Sequence, residues 1–348
     1  MKVAMLLPSL RNVGPVRVAY DIIVGLKGNN NIDFTVFYLN DIVELDFPCK
    51  VEKLTLSNVF NLYSYDVLHS HMLKPDGINA LLPFFRGAKI STLHNIVEAD
   101  LFYSHGNLIS KLFTKVWKAF WKRMNLCAVL SHVAERYYVD LGLDAAKLEV
   151  VYNGVQEKVI QKALDPEIER KLMKLKEDYT VLGTVCLFNH RKGLDQVVRA
   201  LPFMENMVFV VIGDGPVKPE LIKLSRELGV EDKLIFLGFI HNAPSYLGFY
   251  DVYMMPSREE GFGLALIDAI VAQVPVVCSN IPIFRELFND DEVAFFDLDD
   301  TNGIIEAVNS LKRNGANYSQ KAKTRFIENY TRNHMSESYA QLYERKCK

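Results

Sequence analysis

The stretch SREEGFGLALIDAIVAQVPVVCSN, residues 257 to 280, gathers the side chains best suited to chemistry. Two acids, Glu259 and Glu260, run into Gly261-Phe262-Gly263 and then into an apolar, helix-like segment that starts at Leu264. A glycine-containing turn that opens a helix leaves backbone N–H groups without partners, and such groups bind anions. A carboxylate beside an anion site calls for a different ligand, and a sugar attached to a phosphate satisfies both. Asp268 follows Glu260 with seven residues between them. On one helix that spacing is about two turns, so the two acids are expected on a similar face. Each could then chelate a vicinal diol through charge-assisted hydrogen bonds. The plainer reading is a helix-capping acid followed by a surface acid, and exposed capping has no need of Gly-Phe-Gly.

Other segments have weaker signals. NHRKGLDQVVRAL sets Arg191, Lys192 and Gly193 at a strand-to-helix junction, where Lys192 could meet a phosphate; taken alone, a solvated basic turn is the better reading. VVIGDGPVKPEL carries Gly213 and Gly215 directly after a strand. A dinucleotide fingerprint needs a third glycine where Lys218 stands, and Pro216 interrupts the turn, so a nicotinamide enzyme is disfavoured. His69, His71 and His94 end two apolar strands, and His94 is a candidate polar contact. No acid stands at a spacing that would complete a metal site, so no metal is expected. Asp297 to Asp300 read as a solvated loop.

The elements that must position these residues are alternating strands and helices. KVAMLLP, FTVFYLN, DVLHSHM, AKISTLHN, LCAVLSH and LEVVYNGV, then VLGTVCLF, MVFVVIGDGP, KLIFLGFI, DVYMMPS and PVVCSN, are short apolar runs, most of them without period-two alternation. Such runs suit parallel strands buried on both faces, and the helical stretches between them make an α/β chain. The pattern halts over a charged, strand-free stretch and restarts. The expected organisation is a Rossmann-like domain over 1–160, a linker over 161–180, a second Rossmann-like domain over 181–315 and a helical tail over 316–348.

The chain has 348 residues, 49% hydrophobic and 24% charged, with a net charge of -2. That size accommodates two domains, and the charge balance gives no reason to expect a nucleic-acid partner. The five cysteines form no C-x-x-C pair, which suits a reducing cytoplasm. The N-terminus reads as a strand rather than a signal peptide, and no apolar run is long enough to span a bilayer. One surface feature remains, a basic helix over 107–124. Lys111, Lys115, Lys118 and Lys122 recur at helical spacing, with Phe113, Val116, Trp117, Phe120, Trp121 and Met124 around them. It reads either as an anionic-membrane binding helix or as a helix packed on its own domain with a wet lysine face.

LFNHRKGLDQVVRAL, VVIGDGPVKPEL, KLIFLGFI and PSREEGFGLALIDAIVAQVPVVCSN, in that order over about residues 183 to 286, resemble the retaining glycosyltransferases of group one, or family four. SLRNVGPVRVAYDIIVGL, DVLHSHM, TLHN and VVYNGV match the N-terminal half of that family more loosely. The resemblance implies a GT-B fold, two Rossmann-like domains with parallel sheets facing a central cleft, and a tail that crosses back to the N-terminal domain. It implies that Lys192 binds the donor diphosphate, that Glu260 holds sugar hydroxyls, and that His94 approaches the donor sugar. It places Gly14 under the diphosphate. Arg191, Gly213, Gly215, Gly261, Phe262, Gly263, Leu264 and Asp268 would line the donor.

Three positions depart from the family pattern. Asp268 stands where the family has a ribose-binding Glu. Leu187 stands where an Arg precedes the phosphate Lys by five residues. Gly14-Pro15 replaces paired glycines. The expected activity is metal-independent transfer of a hexose-type sugar, with retention, from a nucleotide-diphosphate donor (UDP-sugar favoured, no cofactor). The acceptor would be a glycan or a lipid-linked glycan in surface polysaccharide synthesis. The expected location is the cytoplasm, peripheral on the inner face of the membrane. Two rivals stand beside this reading: a nucleotide-sugar epimerase of the same architecture, and a non-catalytic glycosyltransferase-like partner marked by Leu187 and Asp268.

Overall fold

The computed structural model describes residues 1–98, 107–158 and 163–347. The chain divides into two compact units, Met1–Gln156 with Asn329–Lys348, and Glu157–Glu328.

The first unit is built on seven strands, β1 (Lys2–Leu7), β2 (Asp33–Tyr38), β3 (Lys50–Lys53), β4 (Val67–His71), β5 (Ala88–Leu93), β6 (Leu126–Val129) and β7 (Leu148–Val150). They pair in parallel in the order β3-β2-β1-β4-β5-β6-β7. Helices α1 (Gly14–Gly25), α2 (Leu73–Leu81), α3 (Asn107–Trp121) and α4 (His132–Asp140) lie between them in sequence. Five of the six residues of β1 are buried, as a strand covered on both faces requires.

The second unit begins with helix α5 (Pro166–Asp178) and continues β8 (Thr180–Val185), α6 (Leu194–Ala200), β9 (Met207–Ile212), α7 (Lys218–Glu227), β10 (Leu234–Gly238), β11 (Val252–Met255), α8 (Leu264–Val271), β12 (Val276–Ser279), α9 (Pro282–Leu287) and β13 (Ala294–Phe296). Its six strands are parallel in the order β10-β9-β8-β11-β12-β13. Helix α10 (Thr301–Asn329) is kinked at Asn314, whose φ of -145° leaves the helical region.

The stretch expected as a linker, 161–180, is largely structured. Residues 161 and 162 lie outside the described residues; α5 and the start of β8 occupy most of the rest. Asp165 caps α5 by accepting from the Glu167 and Ile168 amides, and Pro166 occupies the first helical position. Leu172 is the one fully buried side chain of α5, which is why the segment reads as polar and unstructured in sequence. The tail also divides. Helix α11 (Arg332–Cys347) packs on α1 within the first unit, with Arg332 ion-paired to the buried Asp21 at 2.6 Å.

Candidate functional site

In the second unit the strand order reverses between β8 and β11. Open parallel sheets bind ligands beyond the carboxyl ends of their strands at such a switch point. The loops that leave β8 and β11 there carry Lys192 and Glu260. Gly193 lets the two loops meet. Its φ is +61°, and a Cβ on it would sit 2.1 Å from the Pro256 carbonyl oxygen. The Arg258 amide donates to the Arg191 carbonyl at 2.7 Å.

Glu260 is 8% exposed and forms the centre of the arrangement. Lys192 Nζ donates to Glu260 Oε1. Arg191 approaches Oε2 at 3.5 Å, and the Ser257 hydroxyl donates to Oε1 at 2.8 Å. Burial by itself raises the Glu260 pKa, but the Lys192 and Arg191 charges and the Ser257 hydrogen bond outweigh it and hold the carboxyl below its usual range. Arg191 therefore points the same way as Lys192 and supplies a second cation. Leu187, where the family carries that cation, is exposed. Behind this group, Arg258 pairs with both oxygens of Asp195 at 2.8 and 2.9 Å and with Asp299 at 2.7 Å. Asp299 makes this contact from an exposed loop, as the sequence reading of 297–300 as solvated loop expects.

One expectation is corrected. Glu260 and Asp268 do not share a helix, because α8 starts at Leu264, after Gly263 with φ +90°. Glu260 lies in the preceding turn and is aimed by its ion pairs, while Asp268 is half-buried within α8. Gly261 is buried, as is the Phe262 side chain, and Leu264 is half-buried at the start of α8. Gly213 and Gly215 have a packing reason of their own. A Cβ on Gly213 would lie 1.9 Å from the Cys186 carbonyl oxygen, and one on Gly215 would lie 2.3 Å from that of Phe188. Ser257 and Ser279 were invisible as site residues in sequence; Ser279 donates to the Ser257 carbonyl and holds it.

The first unit has its own switch point, between β1 and β4. Gly14 is exposed in the first turn of α1, after the loop that leaves β1. His69 and His71 lie on β4, and His94 directly follows β5. His69 bonds Tyr343 of α11 and Thr92, each at 2.7 Å, and Thr92 bonds Tyr339 at 2.8 Å. His71 Nδ1 and His94 Nε2 are 2.7 Å apart. Burial depresses the pKa of His69 and His94 to about 3 and that of His71 well below normal. All three rings are therefore neutral at neutral pH.

Asp76, 1% exposed, lies beneath α3. Its Oδ1 accepts from Ser70 and Ser91 at 2.7 and 2.8 Å, and its Oδ2 accepts from the Trp117 and Trp121 indoles at 2.6 and 3.0 Å. Burial still pushes its pKa up to about 6, against the four donors. The tryptophans of the basic helix are thereby committed to their own unit.

Two parallel-sheet Rossmann-like units, each with polar groups at the switch point of its sheet, define the GT-B class of glycosyltransferase folds. Residues 165–332 match the family model for glycosyl transferases group 1, and residues 46–158 match that for glycosyltransferase family 4. The chain belongs to the group 1 glycosyltransferases. It is 29% identical to the O-antigen biosynthesis glycosyltransferase WclY of Escherichia coli, over 99% of this chain and 98% of that one. It is 25% identical to an Escherichia coli UDP-Gal:alpha-D-GlcNAc-diphosphoundecaprenol alpha-1,3-galactosyltransferase, over 79% of this chain and 76% of the relative. In fold it matches the crystal structure of Anabaena HepE in complex with UDP and glucose, with a TM-score of 0.84 at 18% identity, covering 99% of this chain and all of that one.

Proposed function

We propose that this chain is a retaining, metal-independent hexosyltransferase that uses a nucleotide-diphosphate sugar, with UDP as the favoured carrier. The acceptor is a glycan or lipid-linked glycan in the assembly of a surface polysaccharide. The observation that carries the reading is the convergence of Lys192, Arg191 and Ser257 on the buried Glu260 at the switch point of the second sheet. A buried ion pair is weak evidence for stability, so a paired carboxylate held at a ligand-binding edge favours function. The names of the two Escherichia coli relatives support the polysaccharide and the uridine carrier.

In this reading the acceptor oxygen bonds to the anomeric carbon as the bond from that carbon to the phosphate oxygen breaks. The acceptor proton passes to the departing phosphate, so no protein carboxylate acts as a nucleophile. Lys192 and Arg191 stabilise the charge that gathers on the diphosphate. Glu260 accepts hydrogen bonds from sugar hydroxyls and orients the sugar. Asp268 serves the ribose, one methylene short of a Glu. The resemblance assigns His94 to the donor sugar and Gly14 to the diphosphate.

The test is thermal stabilisation across a panel of nucleoside diphosphates and their sugars. A ligand that binds only the folded state raises Tm by mass action, by about 2.7 kcal/mol of stability at one hundred times Kd. The expected result is a shift with uridine ligands, with the sugar's contribution lost in Glu260→Ala. No shift with any nucleotide would turn the assignment toward a non-catalytic partner. Sugar interconversion without an acceptor would turn it toward an epimerase.

The reading extends to a peripheral location on an anionic membrane. No helix among the described residues is long and apolar enough to cross a bilayer. Helix α3 instead presents two apolar faces. One carries Trp117 and Trp121 onto Asp76. The other leaves Leu108, Ile109, Leu112, Phe113 and Val116 exposed, with Leu108 85% accessible. At 3.6 residues per turn, Lys111, Lys115, Lys118 and Lys122 fall together along one side of that open face. An apolar stripe bordered by lysines fits an anionic lipid surface. Each basic residue near such a surface contributes about 1 kcal/mol, so replacing the four lysines with Glu is expected to weaken binding to phosphatidylglycerol vesicles by at least roughly a hundredfold. Unaltered sedimentation with the vesicles would remove the membrane from the reading.

A further inference from the structure

Among the described residues, His71 has one hydrogen-bond partner and no second one. Its Nδ1 meets His94 Nε2 at 2.7 Å, and its Nε2 is buried without a protein partner among the described residues. The two ring planes are inclined by 30°, with centroids 4.9 Å apart, so the rings meet edge to edge through these nitrogens. Because both are neutral, each carries one N–H, and one proton lies between them. Two arrangements exist. If His94 Nε2–H donates, His71 must carry its own proton on Nε2, where a buried N–H has no protein acceptor. If His71 Nδ1–H donates, only a lone pair is left at His71 Nε2, and His94 carries its proton on Nδ1. An orphaned buried N–H is the rarer and costlier of the two defects.

His69 gives a contrast. Its partners are the hydroxyls of Tyr343 and Thr92, which rotate to donate or accept, so either tautomer can be satisfied there. Only the His71–His94 pair has its proton placed by its surroundings.

We propose that His71 is a positioning residue that holds His94 in the Nδ1–H tautomer, so that His94 offers its ligand a hydrogen-bond donor rather than an acceptor. On the hexosyltransferase reading, that donor meets a hydroxyl oxygen of the donor sugar. The tautomer itself does not depend on that reading.

The test is a long-range 1H–15N correlation spectrum of the full-length protein labelled with 15N-histidine, with His71→Leu, His71→Asn and His94→Gln as companions for assignment and comparison. In the unsubstituted protein His94 is expected as Nδ1–H. His71→Asn places an amide donor near the lost Nδ1–H and is expected to keep that tautomer. His71→Leu removes the donor and is expected to release it. In the same samples, His71→Leu should raise the KM for the nucleotide sugar by roughly tenfold, the equivalent of one hydrogen bond of about 1.4 kcal/mol, with affinity for the nucleoside diphosphate unchanged and His71→Asn restoring the KM. An Nε2–H His94 in the unsubstituted protein overturns the proposal. So does an Nδ1–H signal that survives His71→Leu. Should His71→Leu not fold, the spectra of the unsubstituted and Asn proteins decide alone. A correct tautomer in a protein that binds no nucleotide sugar would sustain the proton placement and overturn the enzymatic reading.

Discussion

Lys192→Ala and Glu260→Ala are each expected to lower kcat/KM by roughly a hundred- to a thousandfold, the range found when one preorganised electrostatic stabiliser is removed. The two losses should differ in kind. On the proposed function, Lys192 would stabilise charge that grows as the diphosphate leaves, so its removal should fall mainly on kcat. On the same proposal Glu260 would hold the sugar in the ground state and in the transition state, so its removal should raise KM as well. Arg191 reaches the same carboxylate at 3.5 Å, so Arg191→Ala should produce a smaller loss in the same direction as Lys192→Ala. Initial rates across a range of donor concentrations, alongside melting curves to show that each variant is folded, decide the matter. Unchanged kinetics in folded Lys192→Ala or Glu260→Ala would remove that residue from the reaction.

The second large effect is acid sensitivity. His69, His71 and His94 are neutral in the fold: burial pushes His69 and His94 to about 3 and His71 well below its ordinary value, against 6.5 for the free side chain. Between pH 6.5 and pH 3 the unfolded chain therefore binds more protons than the folded one, and stability falls as pH falls through that window. At pH 5 each such histidine costs roughly 2 kcal/mol relative to pH 7.5. Asp76 acts in the opposite sense. Its pKa is raised to about 6 from 3.8, so the folded state binds more protons between those values and gains stability on acidification there. Three histidines outweigh one carboxylate. Urea unfolding at pH 7.5 and pH 5 should show a loss of a few kcal/mol in the first unit, and His69→Asn should reduce it. Equal stability at both values would show that the three rings take up protons without cost.

Much of the architecture was legible in the sequence because burial on both faces writes a strand as a continuous apolar run. The eleven runs correspond to β1, β2, β4 to β7 and β8 to β12. The two strands that escaped are β3 and β13. β3 is KVEK, with no residue buried, at the edge of its sheet. β13 is three residues long and also lies at an edge. Edge position relaxes the demand for apolar side chains, and short length removes the periodicity.

The chemical types at the candidate site were equally legible. Lys192 and Glu260 stand beside glycines that only a turn would need, and the composition of the α3 segment already showed its lysine stripe. Direction was not legible. Arg191 and Lys192 are neighbours in sequence, but that both face Glu260 depends on Gly193 bringing together loops 68 residues apart. The sequence spacing of Glu260 and Asp268 suggested one helix face; the left-handed turn at Gly263 separates them. The split of α3 into a docked tryptophan face and an open apolar face depends on Asp76, 41 and 45 residues away. The sequence by itself determined which segments form the buried apolar strands, since hydrophobic burial acts through composition and short-range pattern. The tertiary structure decided which groups meet. A hydrogen bond or ion pair needs partners about 3 Å apart, and only chain reversals at the strand ends bring residues so distant in sequence that close.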